Sequence, residues 1–355
     1  MKVGIISYYK FEEYIIPKPN KVNNIYESWH QVWDVLFKFA RKNNINLEKY
    51  TTKNHSKYQK LIYLEIPRIQ ELSKIIYHNI FCKKIETILI INETFIGRAR
   101  YILNITFLFD KVLLNSEKEI NQYKAYNVKP FSYPTIPSKK LIQNNKESIL
   151  CANRKNKIVF IGSFKLAINK YGTYIYRYKL IKELLNYPDT FKLYGFNWDK
   201  KQIPFDLIGI AIIKRIKVIK KLFEEFFSIF FKPLGNYPKA EYKYKTLRNY
   251  DFSLVFEPTK GKFNSICEKI FDPMLSGTIP IYYGQKDLNS IPKNTYIRIF
   301  ENSTAKDILK IVKNFPNDLK KEYRKNIYNF LISESARKYR YKNFAKIVIS
   351  SIKET

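Results

Sequence analysis

Cysteine is scarce in this sequence. The chain has three cysteines, Cys82, Cys151 and Cys267, which are odd in number and far apart. This usage excludes a framework of paired disulfides, and the spacing is not that of a zinc site. It is typical of proteins that stay in a reducing compartment. We therefore expect free thiols.

Long apolar runs are absent as well. No window reaches the ~18 uninterrupted apolar residues that a membrane-spanning helix needs. The most apolar stretch, Ile88–Leu114, is interrupted by charged residues such as Glu93 and Asp110. The first ten residues are too short an apolar stretch, and become charged too soon, for a secretory signal. We therefore expect a cytoplasmic protein.

Several motifs of well-known chemistry are missing. The chain contains no GxGxxG, no GxxxxGK[ST] and no defensible Ser-His-Asp pattern. It also lacks Asp-x-Asp, a common metal-binding motif, and His30, His55 and His78 do not have metal-ligand spacing. We therefore expect neither a bound metal nor a cofactor.

Acidic residues are few relative to basic ones. Lys and Arg number 64 against 31 Asp and Glu, for a net charge of +33. Only 12 of the 64 are arginine, and lysine occurs with abundant Ile, Asn, Tyr and Phe, as an AT-rich coding sequence would produce. The lysines are also spread from Lys2 to Lys353, which argues against a nucleic-acid-binding stripe. The charge favours anionic partners such as nucleotide phosphates or an acidic membrane surface, without choosing between them.

Strands alternate with helices along the first half of the chain. Ile85–Glu93 is the clearest buried strand, and Asp110–Asn115 is another. A first strand, KVGIISYY, precedes an amphipathic helix in which Trp33 and Leu36 share the apolar face. This alternation predicts parallel βαβ units.

The pattern breaks and then restarts in the second half. Residues 129–156 contain prolines at 130, 134 and 137, so we interpret them as a linker. The alternation resumes with KIVFIGSF, a helix at Tyr174–Leu185 and the strand FKLYG. The pattern assigns no element to Ile203–Tyr237. We expect an N-terminal domain at 1–140, a second domain at 156–320 and a helical tail at 321–355.

The most informative stretch is Phe252–Gly284, FSLVFEPTKGKFNSICEKIFDPMLSGTIPIYYG. It predicts a buried strand, a polar loop, a helix and a second strand. Ser265 and Glu268 have the spacing of a capping box, and Gly277 is placed to end the helix. A polar loop at a helix N-terminus is a common phosphate site, because free N–H groups and the helix dipole point at the ligand. Lys269 in the first turn, where the dipole disfavours a cation, indicates an anionic ligand.

This stretch resembles the donor-binding signature of the family 10 glycosyltransferases, the α-1,3/1,4-fucosyltransferases. The resemblance rests on Phe256-Glu257-Pro258, on Cys267-Glu268-Lys269-Ile270 and on the turn from Gly277 to Gly284, GTIPIYYG. Two positions depart from the family pattern, since Pro258 stands in place of Asn and Cys267 in place of Thr. Both positions would line the donor pocket, so they bear on which sugar is transferred.

The resemblance implies an architecture and roles for these residues. The fold would be α/β of the GT-B type, with two Rossmann-like domains facing a cleft and a C-terminal helical tail. Lys269 would contact the donor diphosphate, and Glu268 would face the ribose or the developing positive charge on the sugar. Arg177 would hold two phosphate oxygens with its planar fork; a surface arginine on a basic helix is the alternative. Further donor-binding candidates are Gly162, Ser163, Glu257, Thr259 and Tyr282.

Glu93 is the candidate general base. It ends the predicted strand ILIIN, and the family carries a glutamate at the end of an equivalent strand. A general base must lie within hydrogen-bond reach of the acceptor hydroxyl. The alternative is a solvated carboxylate at a strand end.

The C-terminal stretch Lys321–Thr355 interleaves basic and aromatic residues on an amphipathic pattern. Such a helix can lie on an anionic membrane, on the inner face of the cell membrane, or it can pack back onto the protein. Both alternatives stay open at this point.

The resemblance implies an inverting glycosyltransferase that moves a deoxyhexose, L-fucose from GDP-fucose, to a hydroxyl of a glycan or lipopolysaccharide-type acceptor. The donor would be a nucleotide sugar bound without metal. One alternative is a GT-B transferase with another nucleotide sugar. The other is a basic protein without enzymatic activity that binds nucleic acid.

Overall fold

A computed structural model describes the chain in segments. They are residues 1–7, 28–65, 73, 76–77, 85–92, 106–115, 127–151, 153–207, 213, 215–260, 266–286 and 288–354. The chain divides into two compact units. The first holds Met1–Ser138 and Ala336–Thr355, and the second holds Lys139–Lys262 and Ile266–Ser335. The C-terminal segment therefore belongs to the unit that begins the chain.

The strands form one sheet in each unit, and every pairing between described strands is parallel. The first sheet has the order β2-β1-β3-β4-β5-β6 and the second has the order β11-β10-β9-β7-β8. The predicted βαβ alternation is thus confirmed in both units. The strands are β1 (Lys2–Ser7), β2 (Asn46–Lys49), β3 (Lys60–Leu64), β4 (Glu86–Ile91), β5 (Lys111–Leu114), β6 (Val128–Pro130), β7 (Lys155–Ile161), β8 (Phe191–Tyr194), β9 (Tyr250–Phe256), β10 (Ile279–Tyr283) and β11 (Ile297–Arg298).

The described α-helices pack against these sheets or follow them. None of them is long and apolar enough to cross a membrane. They are α1 (Ser28–Lys42), α2 (Lys139–Asn144), α3 (Lys146–Leu150), α4 (Tyr174–Leu184), α5 (Lys217–Phe230), α6 (Lys243–Arg248), α7 (Glu268–Leu275), α8 (Ala305–Lys313), α9 (Asn317–Ile332) and α10 (Tyr341–Lys353).

The core of the first unit lies between its sheet and the helix pair α1 and α10. Trp33 of α1 and Phe344 of α10 meet edge to face with ring centroids 6.3 Å apart. Leu36 and Val348 are fully buried in the same cluster. Of the two alternatives for the amphipathic C-terminal stretch, the structure shows the apolar face of α10 packed in this core. Each helix buries one apolar stripe because its apolar residues recur at intervals of three and four.

The segment interpreted as a linker is structured. Residues 129–156 contain the end of β6, both short helices α2 and α3, and the start of β7. Ile142 and Ile149 of these helices are fully buried. Pro130 ends β6, and Pro134 and Pro137 lie between β6 and α2. The two units divide between Ser138 and Lys139, inside the predicted linker. The prediction is therefore right about the position of the boundary and wrong in treating the whole segment as unstructured.

The second sheet is built around β9, in which all seven residues are buried. Asp251 of β9 forms a buried ion pair with Arg324 of α9, and Lys320 Nζ lies 3.0 Å from the same carboxylate. Arg324 Nε also donates to the carbonyl of Gly277 at 3.3 Å. A buried charge needs such partners, so α9 belongs structurally to the second unit.

Helix α7 begins later than the capping box predicted at Ser265 and Glu268 would place it. Helix α7 begins at Glu268 itself, and its N-cap is Cys267, whose side chain makes no capping bond. Ser265 lies outside the described residues. The Cys267 N–H donates instead to Glu257 Oε1 at 3.4 Å, and Cys267 is extended (φ −111, ψ −170). This bond to the end of β9 keeps the chain extended until Glu268.

The predicted end of α7 at Gly277 is confirmed. Gly277 has φ +70. Its N–H donates to the Met274 carbonyl at 2.9 Å, and the Thr278 N–H donates to the Pro273 carbonyl at 2.9 Å. This pair of bonds is a Schellman motif, which needs a left-handed residue. A Cβ at this position would lie 2.2 Å from the carbonyl oxygen of Ile149. Only glycine fits here.

We expect Gly277→Ala to destabilise the protein strongly. The left-handed φ alone costs a residue with a side chain about 1–2 kcal/mol, and the contact with Ile149 forces a backbone shift. Together they should lower the free energy of unfolding by about 2–4 kcal/mol. Urea denaturation measures it. Gly235→Ala is the matched control, because Gly235 has φ +121 but its Cβ would meet no atom nearer than 3.7 Å. Equal losses in the two variants would contradict the steric argument.

Candidate functional site

A pocket of about 220 Å³ opens in the second unit at the carboxyl ends of β7 and β9. Helix α4 and the N-terminus of α7 complete its walls. In a parallel α/β sheet, ligands bind at the carboxyl ends of the strands, because loops and helix N-termini converge there. The lining residues are Phe160, Ile161, Gly162, Ser163, Lys165, Tyr174, Arg177, Lys243, Leu247, Ser253, Leu254, Val255, Phe256, Glu268, Lys269 and Pro273.

Arg177 of α4 is a buried cation in this pocket, with 7% of its surface exposed. Its Nη2 donates to the carbonyls of Ser163 at 3.2 Å and Lys165 at 3.3 Å. Its Nε is buried and has no partner among the described residues. The guanidinium carbon lies 4.5 Å from the Tyr174 ring centroid and 5.9 Å from that of Phe160. Among the described residues, the charge is surrounded by carbonyls and aromatic rings, and no carboxylate pairs with it.

Burial lowers the pKa of Arg177 to about 10. The guanidinium therefore remains charged at neutral pH. A buried charge with an unsatisfied donor is costly unless an anion pairs with it. The pocket is consequently suited to a ligand that brings negative charge and acceptor oxygens to Arg177.

Lys269 and Glu268, in the first turn of α7, also line the pocket. Lys269 Nζ lies 3.6 Å from Cys267 Sγ. Burial alone would lower the pKa of Lys269, but the adjacent Cys267 and the Glu268 carboxylate raise it above its ordinary value. Although burial opposes ionisation of Glu268, Lys269 and Lys243 lower its pKa. Both side chains are therefore charged at neutral pH.

Lys243 of α6 is a pocket residue that sequence reasoning missed. Its ammonium forms an ion pair with the buried Asp272 of α7, and the phenol of Tyr244 donates to the same carboxylate at 2.6 Å. Burial would lower the pKa of Lys243, but Asp272 raises it. No pattern marked this lysine, since lysine is abundant everywhere in the chain. The pair holds α6 against α7.

Glu257 follows β9 directly and is fully buried, but it does not line the pocket. Its carboxylate accepts from the Cys267 N–H and from Cys267 Sγ at 2.6 Å. Burial raises the pKa of Glu257 to about 7, despite the opposing charge of Lys269. Burial also raises the pKa of the Cys267 thiol, which stays protonated. Glu257 thus fixes the start of α7 through its hydrogen bonds with Cys267, without lining the pocket itself.

Thr259 and Tyr282 are also fully buried and also lie outside the pocket lining. Gln285 connects them: its Nε2 donates to the Thr259 carbonyl at 3.1 Å, and its N–H donates to the Tyr282 phenol at 3.1 Å. These bonds hold the loop after β9 against the end of β10.

Gly162 and Ser163 follow β7 and line the pocket, as the resemblance implied. The Gly162 N–H donates to Tyr194 at 2.9 Å, and its carbonyl accepts from Trp198 Nε1 at 2.8 Å. The backbone polar groups of Gly162 are therefore occupied within the protein. A Cβ at Gly162 would lie 3.0 Å from the Phe160 ring, so only glycine lets that ring pack against the backbone here.

Glu93, the predicted general base, lies outside the described residues. The strand before it is β4, which ends at Ile91. At the same edge of the first sheet, the Asn92 N–H donates to Glu65 Oε1 at 2.8 Å. Glu65 follows β3, is 7% exposed and has φ +61. Sequence reasoning missed Glu65, although a carboxylate directly after the apolar strand KLIYL was a usable signal.

Residues 211–330 match the model of the glycosyltransferase family 10 (fucosyltransferase) C-terminal domain. This range contains α7 with Glu268 and Lys269, and also Lys243. It does not contain Arg177. The search of curated proteins finds no match.

The chain is similar in structure to several solved proteins. A DNA-modifying β-glucosyltransferase is 14% identical with a TM-score of 0.52, over 99% of this chain and 100% of that chain. The Anabaena HepE protein, solved with UDP and glucose, is 8% identical with a TM-score of 0.52, over 99% of each chain. An α1,3-fucosyltransferase is 14% identical with a TM-score of 0.44, over 99% of this chain and 89% of that chain. The two parallel Rossmann-like sheets and the C-terminal helices are those of the GT-B class.

The raised pKa of Glu257 predicts a pH-dependent stability. An unfolded glutamate has a pKa of about 4.3, so the folded state binds the proton more tightly. Stability is then fully present below that pH and falls as pH rises to about 7, by about 3 kcal/mol. Glu257→Gln, which cannot ionise, should abolish this fall. Urea denaturation at pH 5 and pH 8 measures it for both proteins. Glu147→Gln, at an exposed glutamate of the same unit, is the control. An unchanged pH dependence in the Glu257 variant would contradict the assignment.

Proposed function

Because the chain is a glycosyltransferase with a family 10 domain at residues 211–330, we propose that it transfers L-fucose from GDP-fucose to a hydroxyl of a glycan with inversion. The observation that carries the proposal is the buried Arg177 guanidinium, whose Nε has no partner in the described protein. A nucleotide diphosphate supplies the oxygens and the negative charge that this group lacks. The proposed acceptor is a glycan of the lipopolysaccharide type.

The diphosphate is held from two sides. Arg177 lies on α4, and its planar guanidinium can donate hydrogen bonds to two phosphate oxygens at once. Lys269 presents its ammonium from the first turn of α7, where the helix dipole adds to the positive potential. These fixed charges stabilise the departing diphosphate as negative charge develops on it. No metal is required in this arrangement.

Glu268 is the one carboxylate among the described residues that line the pocket. Its lowered pKa keeps it ionised beside Lys269 and Lys243. In the proposed reaction it faces the ribose or the positive charge that develops on the sugar. The remaining candidates, Glu257, Thr259 and Tyr282, act by holding the loop and α7 in place.

The identity of the sugar rests on the resemblance, and two residues permit another donor. Pro258 and Cys267 replace the residues expected in the family pattern, and Cys267 is bonded to Glu257. A transferase using a different nucleotide sugar keeps the same pocket. A thermal-shift screen with GDP, UDP, CMP and dTDP distinguishes the donors, because a ligand that binds only the native state raises its melting temperature. No shift with any nucleotide, together with steeply salt-dependent DNA binding, would favour the nucleic-acid alternative.

We expect Arg177→Ala and Lys269→Ala each to weaken GDP binding by about 1.5–3 kcal/mol, because each removes a charge-assisted hydrogen bond. Isothermal titration calorimetry on the folded variants measures the affinity. Lys179→Ala is the matched control, since Lys179 is an exposed cation on the same helix. Unchanged GDP affinity in both pocket variants would remove the phosphate assignment.

The proposed general base is Glu93, after the carboxyl end of β4. Glu93→Gln keeps the size and hydrogen bonding of the side chain but removes its basicity. Turnover should therefore fall by roughly 10²–10⁴-fold, while GDP affinity stays unchanged. The rate is measured with the donor identified by the nucleotide screen and a glycan acceptor.

Glu65→Gln is the comparison for Glu93, since Glu65 is a described carboxylate that follows β3, the strand paired with β4. A wild-type rate in the Glu93 variant would show that Glu93 is a solvated strand end. If Glu65→Gln alone lowered turnover, the base would be Glu65.

A further inference from the structure

Helix α5 presents an apolar surface to solvent. None of its residues is buried. The exposed fractions of Val218, Leu222, Phe226 and Ile229 are 70%, 64%, 56% and 67%. These residues are spaced by four, four and three positions, so they form a single stripe along the helix. Phe230, 63% exposed, widens the stripe at its end.

The stripe is unlike the apolar faces of the other amphipathic helices. Helices α1 and α10 bury theirs in the core of the first unit. Helix α5 is tied to the second unit at its end, where the Tyr178 phenol donates to the Lys232 carbonyl at 2.9 Å and its ring meets that of Phe231 at 5.4 Å. The apolar stripe itself is exposed to solvent. Clusters of exposed apolar side chains mark interaction surfaces.

The charges next to the stripe are basic. Arg215, Lys217 and Lys221 are all exposed. The two acidic residues of α5 are paired, Glu224 with Lys220 at 3.5 Å and Glu225 with Lys201. Lysines in the first turns of a helix are disfavoured by its dipole unless an anion lies nearby. The surface therefore combines an apolar stripe with positive charges that an anionic surface would attract.

We propose that α5 binds the surface of an anionic membrane and lies parallel to it. The apolar stripe would enter the boundary of the acyl chains while the lysines contact the anionic headgroups. A helix of this length spans only about 21 Å, less than the hydrocarbon thickness of about 30 Å, so it cannot cross. This function is independent of the proposed sugar transfer.

A second copy of the chain fits this surface less well. Pairing two identical α5 surfaces would bring their lysines together in a chain whose net charge is +33. A nucleic acid would neutralise the lysines but leave the apolar stripe in water. An anionic bilayer accommodates both features.

Vesicle co-sedimentation of the whole protein tests the proposal. The wild-type protein should bind vesicles made of equal parts phosphatidylglycerol and phosphatidylcholine, and should not bind phosphatidylcholine alone. The double variant Leu222→Gln/Phe226→Gln should bind at least about ten-fold more weakly, since apolar burial drives insertion. Lys217→Gln/Lys221→Gln should lose roughly five-fold for each lysine.

Matched controls separate α5 from the general charge of the protein. Phe196→Gln removes a phenylalanine of the same unit that is 53% exposed, and Lys192→Gln removes an exposed lysine on β8. Neither should change binding. Thermal melting confirms that every variant is folded.

Three results would overturn the proposal. They are absence of vesicle binding by the wild-type protein, equal binding by the α5 variants, and wild-type self-association in sedimentation velocity that the Leu222→Gln/Phe226→Gln variant loses. The last would assign the surface to a second copy.

Discussion

The pocket of the second unit contains a buried positive charge that no carboxylate of the described segments neutralises. Arg177 is held by two backbone carbonyls and by the rings of Tyr174 and Phe160, and its Nε remains unsatisfied among the described residues. Such a group is costly to maintain. The carbonyls of the turn after β7 accept hydrogen bonds from the guanidinium and so offset part of this cost. It leaves the pocket ready for an anion, which follows from burial without any appeal to similarity.

The N-terminus of α7, which contributes Lys269 and Glu268 to the pocket, is held in place by residues that do not line the pocket. Glu257 receives the Cys267 N–H and thiol, so the end of β9 and the start of α7 are joined at one carboxylate. Gly277 ends α7, and its carbonyl accepts from Arg324, which also pairs with Asp251 of β9. Lys269 therefore stands on a helix fixed at both ends. Fixed charges stabilise a transition state better than mobile ones, because they need not reorganise during the reaction.

Sequence patterns predicted the regular parts well and the irregular parts poorly. Strand, helix and strand between Phe252 and Gly284 are present, and Gly277 ends α7, because period-two and period-3.6 patterns and a required left-handed glycine are local signals. The helix starts later than its local pattern predicted, at a point where the Cys267 N–H donates to Glu257 at the end of β9. Helices α2 and α3 were missed because short helices among prolines and asparagines are stabilised by packing, with Ile142 and Ile149 buried.

The sequence by itself determined the fold class, the family resemblance and the candidate pocket residues Arg177, Glu268 and Lys269. These features depend on periodicity and on motif spacing, which are properties of neighbouring residues. Only the tertiary structure decided which of the polar residues line the pocket and which do not. Glu257, Thr259 and Tyr282 do not line the pocket, whereas Lys243 does. The apolar face of α10 is buried, and that of α5 is exposed to solvent. Burial and charge pairing arise from residues distant in the chain, so no local pattern of one sequence specifies them.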